Sequence, residues 1–464
     1  MKRNLNFSSV FINAIVFLIC SFFSIASFAQ WSSPLNISPG TTTVMMNENA
    51  GQCIAVSSDT VRVVYVDHST AMAKVMFNQS PDQGLTWGTP QILFSSLNCS
   101  FTAIANSGNN IHIVWMDSLG TDRASFYTHS TDAGLTWQPV ICLDSVTKFW
   151  PGIACSGNLV IATLNKDLSG NTEVFIRRSF DNGFTWIPEQ QISNAVNRSE
   201  DPAIAMLRKD VHLSWNDKRS GTMNIYYCHS SDSGATWGPE TALTTLDSYT
   251  SMVCLDGNNV DVPHAIRVGN YFDVWLAESN DTGSTFIPNQ QLTNTATMAE
   301  LYPFMTRDGM NLHVVYVGNG GTNYIFSGDG GATWSAPLFL SNSGQPFIAY
   351  TGCVLHVIFS NGGNLNYMRN PTGNCVNTGI ENTFSKNNDV RVYYSGKNSP
   401  LIIESATPMF SISVSTLSGT ETWKSKPGIS TLKEEIGTEN FSSGILLVKV
   451  VNENGVVVKK IVIE

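Results

Sequence analysis

SPDQGLTW (80–87), STDAGLTW (130–137), SFDNGFTW (179–186), SSDSGATW (230–237), SNDTGSTF (279–286) and SGDGGATW (327–334) are six copies of one pattern, S-x-D-x-G-x-T-W/F. Their aspartates, Asp82, Asp132, Asp181, Asp232, Asp281 and Asp329, stand 50, 49, 51, 49 and 48 residues apart. A period near fifty suits a unit of four short strands rather than a helical repeat.

The rest of each unit carries the strands this predicts. A small-residue segment such as TAIANSG or PAIAML comes first, then an alternating one such as VRVVYVD, IHIVWMD or VHLSWND. A third short segment, such as KVMFNQ or NIYYCH, leads into the turn, and a fourth, such as TPQILFS, follows it. Apolar residues recur at period 2, with Gly, Asn and Asp between the runs, so the body reads as all-β.

Six turns suggest six four-stranded blades of a β-propeller. A seventh set, QPFIAYTG, CVLHVIFSNG and GNLNYMRN, follows the last turn but lacks both turn and fourth strand. At the other end of the body, WSSPLNIS (31–38) matches WSAPLFLS (334–341), the strand after the sixth turn. An N-terminal strand that completes the last blade makes seven the preferred count, with six the alternative. Closure of this kind removes exposed sheet edges.

Within each turn, a short aspartate accepts backbone N–H bonds and the glycine supplies backbone freedom. The tryptophan covers apolar surface between blades. A calcium loop needs more oxygen ligands and a closing carboxylate, so these turns read as scaffold and no metal or cofactor is expected.

These strings resemble the Asp-box, or BNR, repeats of sialidase-like β-propellers, over about residues 31–370. The resemblance implies that each box joins the third and fourth strands, on the face away from any ligand. It is specific for fold and less so for activity, because the box also occurs in binding and receptor propellers. A sialidase implies a Phe/Tyr-Arg-Ile-Pro element, two further arginines, a tyrosine–glutamate pair and an acidic aspartate. TTTVMMNENAGQCIAVSSD, before the first box, holds no such arginine, and Arg62 occupies a strand position filled by His112, His212, His313 and His356 elsewhere.

The ligand face is expected where loops enter the inner strands and where hairpins join the second and third strands. There stand Phe149, Trp150, Arg198, Glu200, Asp201, Tyr249, Glu300 and Tyr302, with Arg219 in the hairpin WNDKRSGTMNIYY. Aromatic faces and carboxylates suit a sugar ligand. Asp201 or Glu200 with Glu300 is the candidate glycosidase pair, and Glu300 with Tyr302 the candidate nucleophile pair. Trp150, Arg198, Glu200, Tyr249 and Arg219 are candidate ligand-binding residues. Each of these is equally a turn or solubilising residue.

The chain opens with Lys2 and Arg3, then an apolar run and SFAQ, which reads as a signal peptide over 1–29. No later apolar run is long enough to span a bilayer, so no membrane anchor is expected in the mature protein. A net charge of −10 argues against a nucleic-acid groove. Eight cysteines remain after the signal; their spacing excludes paired zinc clusters, and Cys353 with Cys375 is the preferred disulfide.

After the propeller (30–370), 371–388 reads as a linker, and 389–464 as a small β-sandwich. ISVSTLSGTETW, ENFSSGILLVKV and VVVKKIVIE resemble the type A C-terminal sorting domain of the Bacteroidetes type IX secretion system. The resemblance implies passage through the periplasm, recognition by the type IX machinery and a secreted or outer-surface location. The first functional expectation is a non-catalytic protein that binds extracellular glycans or surface proteins. The alternative is a secreted glycoside hydrolase, exo-sialidase-like or otherwise glycan-cleaving.

Overall fold

The structure is a computed structural model that describes residues 31–47, 51–120, 122–146, 150–295, 297–342, 344–352, 354–371, 390–394, 400–416, 421–426, 430–438, 441, 444–452 and 455–463. The signal segment, Phe149, Cys353, Cys375 and almost all of the 371–388 linker lie outside these residues. The chain divides into two compact units, Met1–Asn374 and Cys375–Glu464.

Among the described residues the first unit holds seven antiparallel sheets of four or five strands. Sheet 4 shows the plan, with Ser199–Leu207 innermost, then Asp210–Asp217, Asn224–Ser230 and Thr241–Ala242. Sheets 1, 2 and 3 cover 44–96, 100–144 and 152–191; sheets 5, 6 and 7 cover 248–291, 301–341 and 346–370. Sheet 7 takes its fourth strand, Leu35–Asn36, from the N-terminal side, with Leu35 opposite Tyr367 and Asn36 opposite Asn366. The WSSPLNIS segment therefore stands where its sequence twin predicts.

The innermost strands touch in a closed cycle. Ile54–Ser57 packs on Ser100–Ser107, which packs on Gly152–Ser156, and the contacts pass on through Ser199–Leu207, Cys254–Asp256 and Leu301–Asp308 to Pro346–Thr351. Pro346–Thr351 packs on Ile54–Ser57 again. Small residues (Ala55, Ala105, Ala154, Ala205, Ala349) recur on these strands and allow the close approach. The second strands are buried on both faces, as in Val211, Leu213 and Trp215 on one face and His212 and Ser214 on the other, because each sheet is covered by a neighbour on either side.

Register fixes the two ends of every sheet. In sheet 4, Ser199 pairs with Asp217 and Asp217 with Asn224 at one end, while Leu207 pairs with Asp210 and Val211 with Ser230 at the other. The loop entering the inner strand thus shares an end with the second hairpin. The Asp-containing turns lie at the opposite end.

Those turns are built alike. In the first, the Ser80 hydroxyl donates to Asp82 Oδ1 (2.8 Å), as does the Thr86 amide (2.8 Å), while the Thr86 hydroxyl donates to Oδ2 (2.6 Å). The Gly84 amide donates back to Ser80 Oγ (2.8 Å). Asp132, Asp181, Asp232, Asp281 and Asp329 repeat the set. With both oxygens occupied, first by Thr136 and then by Ser130, the Asp132 carboxyl titrates at about 2. Gln83 (φ 57°) and Gly84 (φ 81°) are both left-handed, which the tight curl of the chain requires.

A second ladder ties sheet to sheet. His112, His212, His313 and His356 each share a hydrogen bond through Nδ1 with Tyr127, Tyr227, Tyr324 and Tyr367 of the same sheet (2.8, 2.6, 2.8 and 2.7 Å). Burial holds these imidazoles neutral, with pKa values pushed down to about 3. Each tyrosine meets an aromatic of the next sheet edge-on: Trp186 on Tyr127, Phe286 on Tyr227 and Trp87 on Tyr367, with centroids 4.9–5.0 Å apart. Trp31 does the same to Tyr324 at 5.2 Å, so it stands in for the tryptophan of the turn that sheet 7 lacks.

The second unit is a small sheet system organised by one long strand, Leu401–Thr416. Its first half pairs with Val390–Tyr394 and Thr431–Ile436, its second half with Glu421–Lys424 and Gly444–Asn452. A register shift between Glu404 and Met409, around Pro408, separates the halves. Leu401, Ile403, Ile412, Val414, Ile436, Val448 and Val450 form its core.

Candidate functional site

Cross-strand pairs place one repeated position at the mouth of the ring, the end away from the Asp-containing turns. The inner-strand residues Ala55, Ala105, Ala154, Ala205, Cys254, Thr306 and Ala349 face the second-strand position that holds histidine in sheets 2, 4, 6 and 7. Four residues before each stand Gly51, Phe101, Trp150, Asp201, Thr250, Tyr302 and Gln345. The turns at the other end repeat their chemistry; this position repeats only its place. Scaffolding needs the same residue in each copy, whereas recognition of one ligand needs different residues around it.

The backbone here is also held in an uncommon shape. Phe101 (φ 52°), Asp201 (φ 59°), Thr250 (φ 55°) and Tyr302 (φ 55°) are left-handed. For aromatic and β-branched residues this conformation costs on the order of 1 kcal/mol or more. Bulges accompany it, with register shifts between Ser100 and Ala103, Glu200 and Ala203, and Leu301 and Phe304.

Neighbouring sheets lock these residues together. Phe101 and Trp150 meet edge to face, centroids 5.3 Å apart. The Asp201 amide donates to Asn165 Oδ1 of sheet 3 (3.0 Å), and Asn216 Nδ2 donates to Asp201 Oδ2 (2.8 Å). The Tyr302 amide donates to the Thr250 hydroxyl of sheet 5 (3.4 Å).

Between sheets 4 and 5 a charged corner forms. Arg198 Nε lies 3.3 Å from Glu200 Oε1, and the Lys218 amide donates to the Arg198 carbonyl (2.9 Å). Glu200 is 6% exposed, and its Oε2 has no hydrogen-bond partner among the described residues. Burial pushes its carboxyl above the usual range, against the pull of Arg198 and Lys218. Tyr249 sits beside this group, with Asp247, Arg198, Glu200 and Arg267 all acting on its hydroxyl. Its ring meets Phe272 at 5.6 Å, and Arg267 covers Phe272 at 4.6 Å while bonding Asp247 (2.8 Å).

The remaining candidates separate from this corner. Arg219 is tied down by Asp217 through two hydrogen bonds (2.8 and 2.6 Å), by an ion pair with Glu240 (2.5 Å), and by the Tyr226 ring at 4.2 Å. Glu300 is 2% exposed, and its Cγ lies 2.9 Å from where a β-carbon on Gly318 would stand. Gly318 ends the second strand of sheet 6, where sheets 1, 2 and 4 have Asp67, Asp117 and Asp217. Glu300 thus reaches, from the adjacent loop, into the space that an aspartate side chain takes elsewhere. Burial raises its pKa, opposed by hydrogen bonding from Thr293 and reinforced by Asp273. Asp201 bonds to Asn165 of sheet 3 and Asn216 of sheet 4, whereas the Glu300 amide donates to the Phe272 carbonyl of sheet 5 (2.7 Å).

Sequence reasoning named Trp150, Glu200, Asp201, Tyr249 and Tyr302 but passed over Phe101, Thr250 and Gln345. Counting back from the alternating second strands would have found them, since they hold the same offset in every unit.

No curated protein matches the chain. Among solved structures, a PL25 ulvan lyase bound to -[GlcA(1-4)Rha3S]- is similar at 11% identity, over 73% of this chain and 96% of the lyase, with a TM-score of 0.53. YCF48 bound to a D1 peptide is similar at 17% identity, over 75% of this chain and 97% of that one, with a TM-score of 0.50. At such identities the likeness is one of fold, a blade-repeat β architecture shared by carbohydrate-active and binding proteins. The tail is more specific: residues 370–464 match the family model of the secretion system C-terminal sorting domain, the export address of type IX secretion.

Proposed function

We propose that this chain is an exported, seven-bladed propeller of the Asp-box, sialidase-like kind that binds carbohydrate at its mouth. The observation that carries the reading is the repeated mouth position, which recurs in all seven sheets and presents Phe101, Trp150, Asp201, Thr250 and Tyr302 among other side chains, with Phe101, Asp201, Thr250 and Tyr302 in left-handed backbone. Aromatic faces stack on sugar rings, and carboxylate and hydroxyl groups take sugar hydroxyls. The closed cycle of seven inner strands supports the blade count. The sorting domain supports delivery to the cell surface or medium, where glycans and surface proteins are the available partners.

A glycan array probed with the mature propeller tests this, with Trp150→Ala as the paired variant. Binding to one glycan class, weakened about tenfold or more by the change, is the expected result. No glycan binding at any concentration that saturates a control lectin would sink the reading.

A second reading, cleavage of the bound glycan, is favoured by Glu200. It is a buried carboxyl with a raised pKa beside a tyrosine and an arginine, and a raised carboxyl pKa is what an acid catalyst requires. The ulvan lyase shows that a related fold acts on an acidic polysaccharide. Release of sugar products from array hits, lost in Glu200→Gln with binding retained, would establish cleavage. Unchanged product release in that variant would remove Glu200 from the chemistry.

A further inference from the structure

The proposed glycan-binding reading leaves the class of sugar open, and the corner between sheets 4 and 5 bears on it. The chain carries a net charge of −10, so cations gathered at one place stand out against an acidic background. Arg198, Lys218 and Arg267 are all exposed there, whereas the carboxylates among them are covered or already engaged. Glu200 is buried beneath Arg198, Asp247 is paired with Arg267, and Asp217 is held by Arg219, Ser199 and Trp215. The solvent-facing side of the corner is therefore positive and its floor negative.

The floor has an open valence. Glu200 is more than nine-tenths buried, yet its Oε2 accepts no hydrogen bond among the described residues. A buried carboxylate oxygen left without a donor is costly, so a donor brought by a ligand would be favoured here. Tyr249, half-buried and braced by Phe272, offers a ring face between the cations. Strung together, these are groups for an anion, for a sugar ring and for a hydroxyl donor.

We infer that this corner takes an acidic sugar unit of an anionic polysaccharide: Arg198 and Lys218 meet its carboxylate or sulfate, Tyr249 its ring, and Glu200 Oε2 one of its hydroxyls. This inference rests on the proposed glycan-binding reading and narrows it. A uronate and a sulfate ester share the chemistry that guanidinium and ammonium groups recognise. Arg267, already engaged by Asp247 and Phe272, adds field rather than a direct bond.

The test is calorimetric binding of the mature protein to polygalacturonate (carboxylate only), dextran sulfate (sulfate only) and pullulan (neutral). The variants are the double change Arg198→Gln with Lys218→Gln, and Lys209→Gln, whose residue lies at the opposite end of sheet 4. The expected result is binding to at least one polyanion and at most weak binding to pullulan, with affinity falling as salt is added. The double change should weaken polyanion binding about tenfold or more, with Lys209→Gln near wild type. Which polyanion binds tells carboxylate from sulfate. Thermal unfolding of each variant confirms that its fold is intact.

Equal affinity for pullulan and polyanions, or polyanion binding untouched by the double change, overturns the inference. So does equal weakening by Lys209→Gln, which would mean only diffuse attraction. Pullulan binding that is sensitive to Trp150→Ala, without preference for polyanions, overturns the inference alone. Absence of binding to all three, together with a blank glycan array, overturns the wider reading as well.

Discussion

The hydroxyl of Tyr367, in the last sheet, fills the hollow left by the missing side chain of Gly84, in the first, and donates to the neighbouring Gln83 carbonyl (3.2 Å). The contact joins residues nearly three hundred positions apart, and Tyr127 with Gly183 and Tyr227 with Gly283 repeat it. The turn glycine is therefore required twice, for its left-handed backbone and for the tyrosine that enters its place.

Gly84→Ala should accordingly destabilise the first unit by roughly 2–4 kcal/mol, from the sum of backbone strain and overpacking. Gly221→Ala is the comparison: it is also left-handed, but nothing lies within 4 Å of its would-be β-carbon. It should cost only about 1 kcal/mol. Urea unfolding followed by tryptophan fluorescence measures both, and equal losses would refute the tyrosine's part.

Trp31→Ala should loosen ring closure. The indole packs edge-on to Tyr324, and the Ser32 amide and hydroxyl bond the backbone of Arg369 (2.9 and 3.0 Å). A loss of about 2 kcal/mol is expected for this half-buried aromatic. Hydrogen exchange should show the loss concentrated in 346–370. Uniform loss across the seven sheets would contradict a local closure.

Asp132→Ala removes the acceptor for the Ser130 hydroxyl and for both donors of Thr136. The expected cost is about 1–3 kcal/mol, with ligand binding unchanged because the turn lies at the far end of the sheet from the mouth. A calcium-dependent melting temperature in the wild type, absent from the variant, would instead make the turn a metal site.

Acid and neutral pH should act on stability through Glu278. Burial, then the charge of Asp261, pushes its carboxyl from 4.5 up to about 7, while Arg307 opposes them. Arg307 is engaged chiefly by Asp261, with Nη1 2.9 Å from both carboxylate oxygens. The folded state therefore binds a proton here that the unfolded chain releases near 4.5. Its stabilising effect is complete below about 4.5 and lost as pH rises through about 7. The melting temperature should fall across that window, and Glu278→Gln should flatten the fall. A slope unchanged in the variant would rule Glu278 out as its source.

Removal of 389–464 should leave the protein in the periplasm, checked by fractionation and immunoblotting. Normal export of the truncated chain would refute the sorting role of the tail.

The fold was legible because its constraints are local and repeated. Ser80, Asp82, Gly84 and Thr86 bond within one turn, so each copy must keep the whole set, and the interval between copies measures the sheet. The pairing of Leu35–Asn36 with the last sheet was legible through a twin segment after the sixth turn. The site was harder to see because it obeys no motif. Phe101 and Thr250 share a place only through cross-strand register, and the space that Glu300 occupies is opened by Gly318, a residue eighteen positions away. Arg219 looked available in sequence, but Asp217 and Glu240, the latter twenty-one residues away, occupy it.

The pairing of Ser32 with Arg369 has a topological consequence. The covalent ends of the ring are stitched side by side, so the segment before residue 31 and the segment after 371 both attach at a single seam. A peptide bridge across that seam would turn the ring into an endless chain. New ends could then be cut into any second-strand hairpin, such as the one at Gly318–Gly321, while every sheet kept its own strands. In a protein knitted in this way, cleavage on either side of the seam leaves the stitch in place.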